Sequence, residues 1–443
     1  MQLWAKDIQV NKAIEQFTTG KDRELDLLLA KYDVLGSLAH ISMLETIGLL
    51  SKNELDRLRN ALIDIYKEIK KGNFKIEEGT EDIHSQIEFL LTKKLGDVGK
   101  KIHSGRSRND QVLVDLKLFM RDEFEYLIGD IQSLFTLLQS QSEKFKHTLL
   151  PGYTHFQVAM PSSFGLWFGA YAEALVDDLH SLSGSYKIIN KNPLGSAAGY
   201  GASFPLNRTL TTQLLGFESL NYNVVYAQIT RGKTDAAVAS SLANVAYTLN
   251  KLASDAVLYV CQNFQFINFP EELMEGSSIM PHKKNPDVFE LIRAKTNKIK
   301  ALPNDILMLT TNLPSGYHRD LQILKEYILP AFGELRSCIQ MAIIMLSAVK
   351  VRENIVGEDT YKYMFSVERV NELVLKGLPF RDAYKQVGKE IEDGGFAPNY
   401  NINHTHEGSI GNLCNAEIRT LFENALQGFD FKNKNEAFAR LLQ

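Results

Sequence analysis

The chain has 443 residues, more than one hydrophobic core usually serves, so two or three domains are expected. Its 49 Lys and Arg stand against 53 Asp and Glu, a net charge of −4 with no sustained basic stripe, which excludes a nucleic-acid footprint. With 44% hydrophobic and 23% charged residues, 12 Pro and 29 Gly, the composition is that of an ordinary globular protein with no disordered or fibrous bias.

Cys261, Cys338 and Cys414 are isolated and odd in number, so neither a disulfide framework nor a zinc-ligand pair is expected, and the compartment is read as reducing. The opening MQLWAKDIQV has no apolar leader, and no uninterrupted apolar run approaches the roughly eighteen residues that span a bilayer. A soluble cytoplasmic protein with no membrane partner is the expectation.

Strand signals are scarce and helix-period patterns are long, so the chain reads as mainly α. Residues 22–50 and 53–70 are amphipathic and helical, divided by the turn Ser51-Lys52-Asn53, where Ser51 or Asn53 is positioned to cap the second helix. A polar segment, 71–82, leads into His84 and the apolar face of Ile87, Leu90 and Leu91. From Asp110 to Lys146 one run carries the seam Phe124, Leu127, Ile131, Leu134, Leu138. A second, 234–260, carries Val238, Leu242, Val245, Leu249, Leu252, Ala256 and Tyr259, with small residues flanking them. A third, 321–349, is expected to kink at Pro330. Such faces are more than one small bundle can cover and imply a multi-helix core, shared between subunits. After about Arg352 shorter amphipathic pieces, broken by Gly394-Gly395 and Pro398, suggest a small helical carboxy-terminal domain. GYGASF at 199–204 has two glycines of a dinucleotide fingerprint but lacks the third and the preceding strand, so it reads as a turn-rich loop.

Four stretches have the character of anion-handling sites. In EGSSIMPHKKNPDVFELIR, residues 275–293, Gly276 frees the backbone so that Ser277 and Ser278 present hydroxyls and N–H groups. Asn285 and Pro286 read as N-cap and first residue of a helix that carries Glu290 about one turn in. The plain alternative is a capped surface loop solvated by Lys283 and Lys284. HSGRSRND, 103–110, sets Arg106, Arg108 and Asn109 before the long helix, where arginine forks and a helix amino terminus both suit a carboxylate. LPGYTHFQ, 150–157, holds His155 between Thr154 and Gln157, side chains able to fix its tautomer. SGYHRDLQILK, 315–325, aligns Tyr317, Gln322 and Lys325, and Thr230-Arg231-Gly232-Lys233 is another cationic helix entrance.

The string GSSIMPHKKNP resembles the signature loop of the aspartase/fumarase superfamily. With HSGRSRNDQV, LPGYTHFQ and PLGSAAGYG in that order, the chain resembles the argininosuccinate lyases from its first helices to at least Lys325. The resemblance implies a three-domain helical subunit, divided near 1–106, 107–352 and 353–443, whose long central helices build a tetrameric core. It also implies active sites assembled from three subunits and no metal or organic cofactor. Cleaving argininosuccinate needs a base for a weakly acidic C–H, a cradle for the dianionic aci-carboxylate, and an acid for the departing guanidine nitrogen. By resemblance Ser277 is the base, supported by loop N–H groups and Lys283; His155 handles the leaving-group proton and Glu290 polarises it. Asn109, Thr154, Asn285, Tyr317, Gln322 and Lys325 match substrate-binding positions, with Arg108 and Arg231 as carboxylate ligands.

Three positions depart from the family pattern. Gly20 stands where a Ser is usual, with Thr18 or Thr19 as substitutes; His282 replaces a Gln, as in adenylosuccinate lyases; and Gly232-Lys233 replaces an Asp-Phe pair. The alternatives are therefore an adenylosuccinate lyase, or a catalytically silent helical homologue of the kind that serves as a lens protein.

Overall fold

The computed structural model describes residues 11–402 and 404–443, so the opening decapeptide on which the reading of a leader rested lies outside them. Its helices begin with α1 (Lys12–Thr19), α2 (Asp22–Thr46), α3 (Lys52–Lys70), α4 (Ile83–Leu95), α5 (Asp97–Lys100) and α6 (Arg108–Lys144). A hairpin of β1 (Leu149–Thr154) and β2 (Gln157–Ser163) precedes α7 (Phe164–Ile189). Short pieces follow: β3 (Lys191–Asn192), α8 (Arg208–Leu214) and β4 (Ser219–Leu220), then the long α9 (Val224–Val260). After β5 (Ile267–Asn268), β6 (Glu275–Gly276) and β7 (Lys284–Asn285) come α10 (Asp287–Leu309), α11 (Leu324–Ser347) and β8 (Lys350–Val351). The chain ends with α12 (Ser366–Leu375), α13 (Phe380–Glu392), α14 (Asn415–Leu426) and α15 (Phe431–Leu441). Every sheet described has two strands, so the fold is mainly α as expected.

The seam helices α6, α7, α9, α10 and α11 pack into one bundle, with α2, α3 and α4 on one flank and α14 against α7. Their predicted seams are buried: Phe124, Leu127, Ile131, Leu134 and Leu138 on α6, and Val238, Leu242, Val245, Leu249, Leu252 and Ala256 on α9. Phe119 and Phe124 both meet the ring of Phe332 from α11, and Phe124 meets Tyr186 from α7, at centroid distances of 5.7–6.1 Å. Ser51 caps α3 in a reciprocal capping box with Glu54. Helix α6 starts earlier than the expected Asp110: Ser107 is the N-cap, closing a capping box with Asp110, so Arg108 and Asn109 are its first residues. Pro330 lies within α11, and Pro303, which the sequence reading passed over, lies within α10. Helix α2 and the segment 319–347 are long and apolar enough to cross a membrane; in α2, 78% of the qualifying window is buried within the chain.

Helix α6 also carries charge into the core. Lys117 donates to the Lys191 carbonyl at 2.8 Å and to Asn221 Oδ1 at 2.6 Å, and burial lowers its pKa to about 7. Arg121, fully buried, donates to the Leu215 and Gly216 carbonyls and lies over the Phe217 ring. Asp122 accepts from Lys31 at 2.9 Å, from Tyr32 at 2.8 Å and, from the far end of the chain, from Lys434 on α15 at 2.6 Å. Lys434 is 0% exposed and also meets Glu125 at 2.5 Å.

Removing one partner of a buried ion pair strands the other charge, at a cost of about 3–5 kcal/mol. Lys31 and Tyr32 stay on Asp122, so Lys434→Ala should lower the urea midpoint of unfolding by the equivalent of about 1–3 kcal/mol, whereas exposed Lys432→Ala should stay within about 0.5 kcal/mol.

Candidate active site

A cleft of about 260 Å³ opens where α2, α4, the start of α6, the break in α9 and the turn before α11 converge. It is lined by Arg108, Asn109, Arg231, Tyr317, Gln322 and Lys325, six of the twelve residues singled out in the sequence. The capping box at Ser107 turns the first residues of α6, Arg108 and Asn109, toward the cleft at the positive end of a 37-residue helix. Asp110 accepts from the Ser107, Gly195 and Ala197 amides, at 2.8, 2.8 and 2.9 Å, pinning the glycine-rich loop to the same helix end. Burial raises the Asp110 carboxyl to about 6, against those three donors.

Arg231 reaches the cleft because α9 is broken there. Arg231 is extended (φ −67°, ψ 131°) and Gly232 has φ 86°, while the Asp235 carboxylate accepts from the Gly232 amide at 2.7 Å and starts the helix again. A side chain at 232 would be strained by that φ and would meet Thr310 Cγ2 at 2.7 Å. Gly232 therefore has a geometric reason of its own at a position that departs from the family pattern. The Arg231 guanidinium stacks on Tyr317 at 5.3 Å and donates to the Leu321 carbonyl at 3.2 Å. It is 6% exposed, and its Nε has no hydrogen-bond partner.

The cleft is zwitterionic. Arg108 pairs with Asp82 and, at 3.3 Å, with Glu81, which also holds Arg319 at 2.9 Å. Lys325, 4% exposed, is gripped by Asp22 at 2.7 Å and Asp26 at 2.6 Å. Burial raises the Asp22 carboxyl against the pull of Lys325. Gln322 donates to the Thr18 and Thr19 carbonyls and so ties α1 to the rim. The sequence reading looked to Gly20, Thr18 or Thr19 for a polar group here. Gly20 is the C-cap of α1 and does not line the cleft, whereas Asp22, four residues before Asp26 and on the same face of α2, does. That i, i+4 pair of acids at a helix start was the available signal. Asp82, His84, His103, Ser107 and Arg319 also line the cleft and were not singled out as site residues. The His103 imidazole is lowered to about 4 by burial, with Arg106 and His84 adding to it. Arg106 itself turns inward to Ser37 Oγ, at 3.1 Å, and does not line the cleft.

The other six residues lie on two separate features, neither of which lines this cleft. Thr154 and His155 are at the tip of the β1–β2 hairpin, where Thr154 pairs with Gln157 and the two-residue turn His155-Phe156 has φ 55° at both positions. That is the primed turn that suits the strand twist, occupied here by residues that usually avoid a positive φ. His155 is exposed and Phe156 is 77% exposed.

Ser277, Lys283 and Asn285 belong to the loop closed by pairing of β6 with β7, Glu275 with Asn285 and Gly276 with Lys284. Ser277 Oγ accepts from the Ile279 and Met280 amides at 3.4 and 3.1 Å, so the loop does supply N–H groups to that oxygen. Two local expectations are corrected here. Asn285 pairs in β7 instead of capping the helix, and Pro286 occupies the N-cap of α10, whose first residue is Asp287; Gly276 is held in β6 without a positive φ. Glu290 is exposed in the first turn of α10, as expected.

Gly232→Ala should cost about 1–3 kcal/mol in unfolding free energy through backbone strain and the Thr310 contact. Adding Thr310→Ser, which deletes Cγ2, should recover the contact part but not the strain; a double-mutant cycle by urea denaturation measures both.

Residues 6–300 match the family model described as "Lyase". An argininosuccinate lyase of Bacteroides fragilis is 60% identical over 441 residues, covering 100% of this chain and 99% of the relative. One of Thermotoga neapolitana is 38% identical over 389 residues, covering 88% and 98%. Among solved structures, an EDDS lyase variant with bound fumarate superposes with a TM-score of 0.76 at 20% identity, covering 98% of this chain and 94% of that one, a likeness of fold.

Proposed function

The chain belongs to the argininosuccinate lyases of the aspartase/fumarase superfamily, and we infer that it is a carbon–nitrogen lyase that cleaves argininosuccinate reversibly to arginine and fumarate, a step of arginine biosynthesis. The observation that carries this is the match at 60% identity along the whole chain to relatives of that name. The cleft adds chemical support, since it offers both carboxylates and cations to a substrate that bears both charges.

In the mechanism we propose, Ser277 removes the proton from the carbon beside a succinyl carboxylate. Its alkoxide is stabilised by the Ile279 and Met280 amides that already point at Oγ, and by Lys283. Arg108, Asn109 and Arg231 hold carboxylate groups. Thr154, Asn285, Tyr317, Gln322 and Lys325 complete the binding set. His155, polarised by Glu290, protonates the leaving guanidine nitrogen. No cofactor is invoked.

One subunit carries these groups on three features that do not share a cleft, which supports a site assembled from several copies. The long helices leave apolar side chains exposed, among them Tyr247, Leu291, Leu307, Met308 and Ile344. Faces of that kind ask for a partner, and we propose a homotetramer built on α9, α10 and α11. The three-part division near residues 106 and 352, and a cytoplasmic location without membrane or nucleic-acid partners, complete the proposal.

Argininosuccinate mixed with the protein should gain the ultraviolet absorbance of fumarate; release of fumarate only from a different succinyl adduct would overturn the substrate. Ser277→Ala should abolish turnover while the sedimentation of the assembly stays unchanged, and dissociation into monomers would make the residue structural instead. If the sites are shared, co-refolding inactive Ser277→Ala chains with inactive Asn109→Ala chains should restore part of the activity, because some sites then draw both intact segments. Mixtures that stay inactive would place the whole site within one subunit.

A further inference from the structure

The tip of the β1–β2 hairpin is built against local preference. A two-residue primed turn favours Asn or Gly at both central positions, because both take a positive φ. Here the second of them is Phe156, with φ 55°, and a bulky side chain in that region is strained. Phe156 is also 77% exposed, so its ring gains little from its own chain. An aromatic that is both strained and left in solvent, next to a reactive imidazole, is a local conflict of the kind that function retains. The chemistry above uses Thr154 and His155 of this tip and gives Phe156 no part.

A cavity of about 370 Å³ lies against the cleft and shares Arg231 with it. Its apolar walls are Ile229 just before the break in α9, Leu307 near the end of α10, and Leu313, Pro314 and Leu321 on the connection to α11. Ile229 is 42% exposed and Leu307 59%, so one subunit leaves this surface open. Two cations of the cavity already keep aromatic company, Arg231 at 5.3 Å from the Tyr317 ring and Lys233 at 5.7 Å from that of Tyr226. Apolar walls with such cations suit a ring. The hairpin and the surface also match in order: a titratable residue followed by an aromatic one, and a charged recess beside an apolar one. Consecutive Cα atoms are about 3.8 Å apart, so a tip that brings His155 to the first recess brings Phe156 to the second. Ile279, 81% exposed near Ser277, is another apolar tip beside a reactive group, but it has no π face to offer those cations.

We propose that Phe156 is a positioning residue: its ring seats in the cavity at Ile229 and Leu307 of a second copy of this chain and so sets how His155 enters that copy's cleft. The proposal rests on the shared-site reading, which the mixtures of Ser277→Ala and Asn109→Ala chains decide on their own. Phe156→Gly removes the anchor and relieves the strain, so it should lower kcat at least about tenfold while the urea midpoint stays level or rises. Phe156→Leu keeps an apolar anchor and should retain at least about a third of kcat. Ile229→Glu, which puts a charge into the receiving cavity, should reproduce the loss seen with Phe156→Gly; Leu313→Glu takes its place if that variant fails to assemble. Co-refolded in equal amounts, Phe156→Gly and Ile229→Glu chains should recover about a quarter of the unmodified rate, because half the tips and half the cavities are intact and they meet across chains. The proposal is overturned if Phe156→Gly turns over as fast as the unmodified enzyme, if it sediments as monomers, or if the mixture gains nothing over its two components. It is equally overturned if Ile279→Ala chains, and not Phe156→Gly chains, complement the cavity variant.

Discussion

The structure depends on one constraint: helix α6 takes ionisable side chains into a core where an unmatched charge is costly. Asp110, Asp115, Lys117, Arg121 and Asp122 are all buried on a single helix, and most of their partners are remote in sequence. Each match fixes something that carries function. Asp110 seats the glycine-rich loop; Lys117 and Arg121 hold the connection between α7 and α9; Asp122 receives Lys434 from the last helix. The rod that supplies Arg108 and Asn109 to the cleft is thus the rod against which the surrounding segments are registered. Because leaving any of these charges alone is costly, the alternatives to this packing are few.

What was legible in the sequence follows from range. The seams of α6 and α9 are local repeats of three and four, and their buried positions are those that the repeat marks. Ser51 and Glu54, three residues apart, state their capping box in the sequence itself. The errors fall where a local rule met a distant partner. Asn285 looked like a cap, yet it pairs with Glu275 ten residues earlier. The run 234–260 reads as a helix entered through 230–233, and the break at Arg231-Gly232 is that entrance; only what sets it was out of reach. Its entrance is an extended residue and a glycine whose conformation is set against Thr310, nearly eighty positions away. Asp22 and Asp26 carried no signal of their lysine, because Lys325 lies about three hundred residues along the chain.

The candidate site divides along the same line. Motifs that combine a helix end with polar side chains could be read from spacing, and Arg108, Asn109, Tyr317, Gln322 and Lys325 do share a cleft. The acids that answer them were harder to read, since even the i, i+4 pair Asp22 and Asp26 looks like solvated helix surface until Lys325 is known to face it. The hairpin turn at His155-Phe156 was equally hidden. Phe156 is not a residue that a positive φ favours, so its conformation is imposed by strand pairing on both sides of the tip.

The cleft cations Arg108, Arg319 and Lys325 are each engaged by a carboxylate of the same chain. Much of the positive charge that lines the cleft is thus matched from within the chain. A carboxylate approaching any of these three cations would meet an acid already in place, whereas Arg231, stacked on Tyr317, has no carboxylate at ion-pair distance among the described residues.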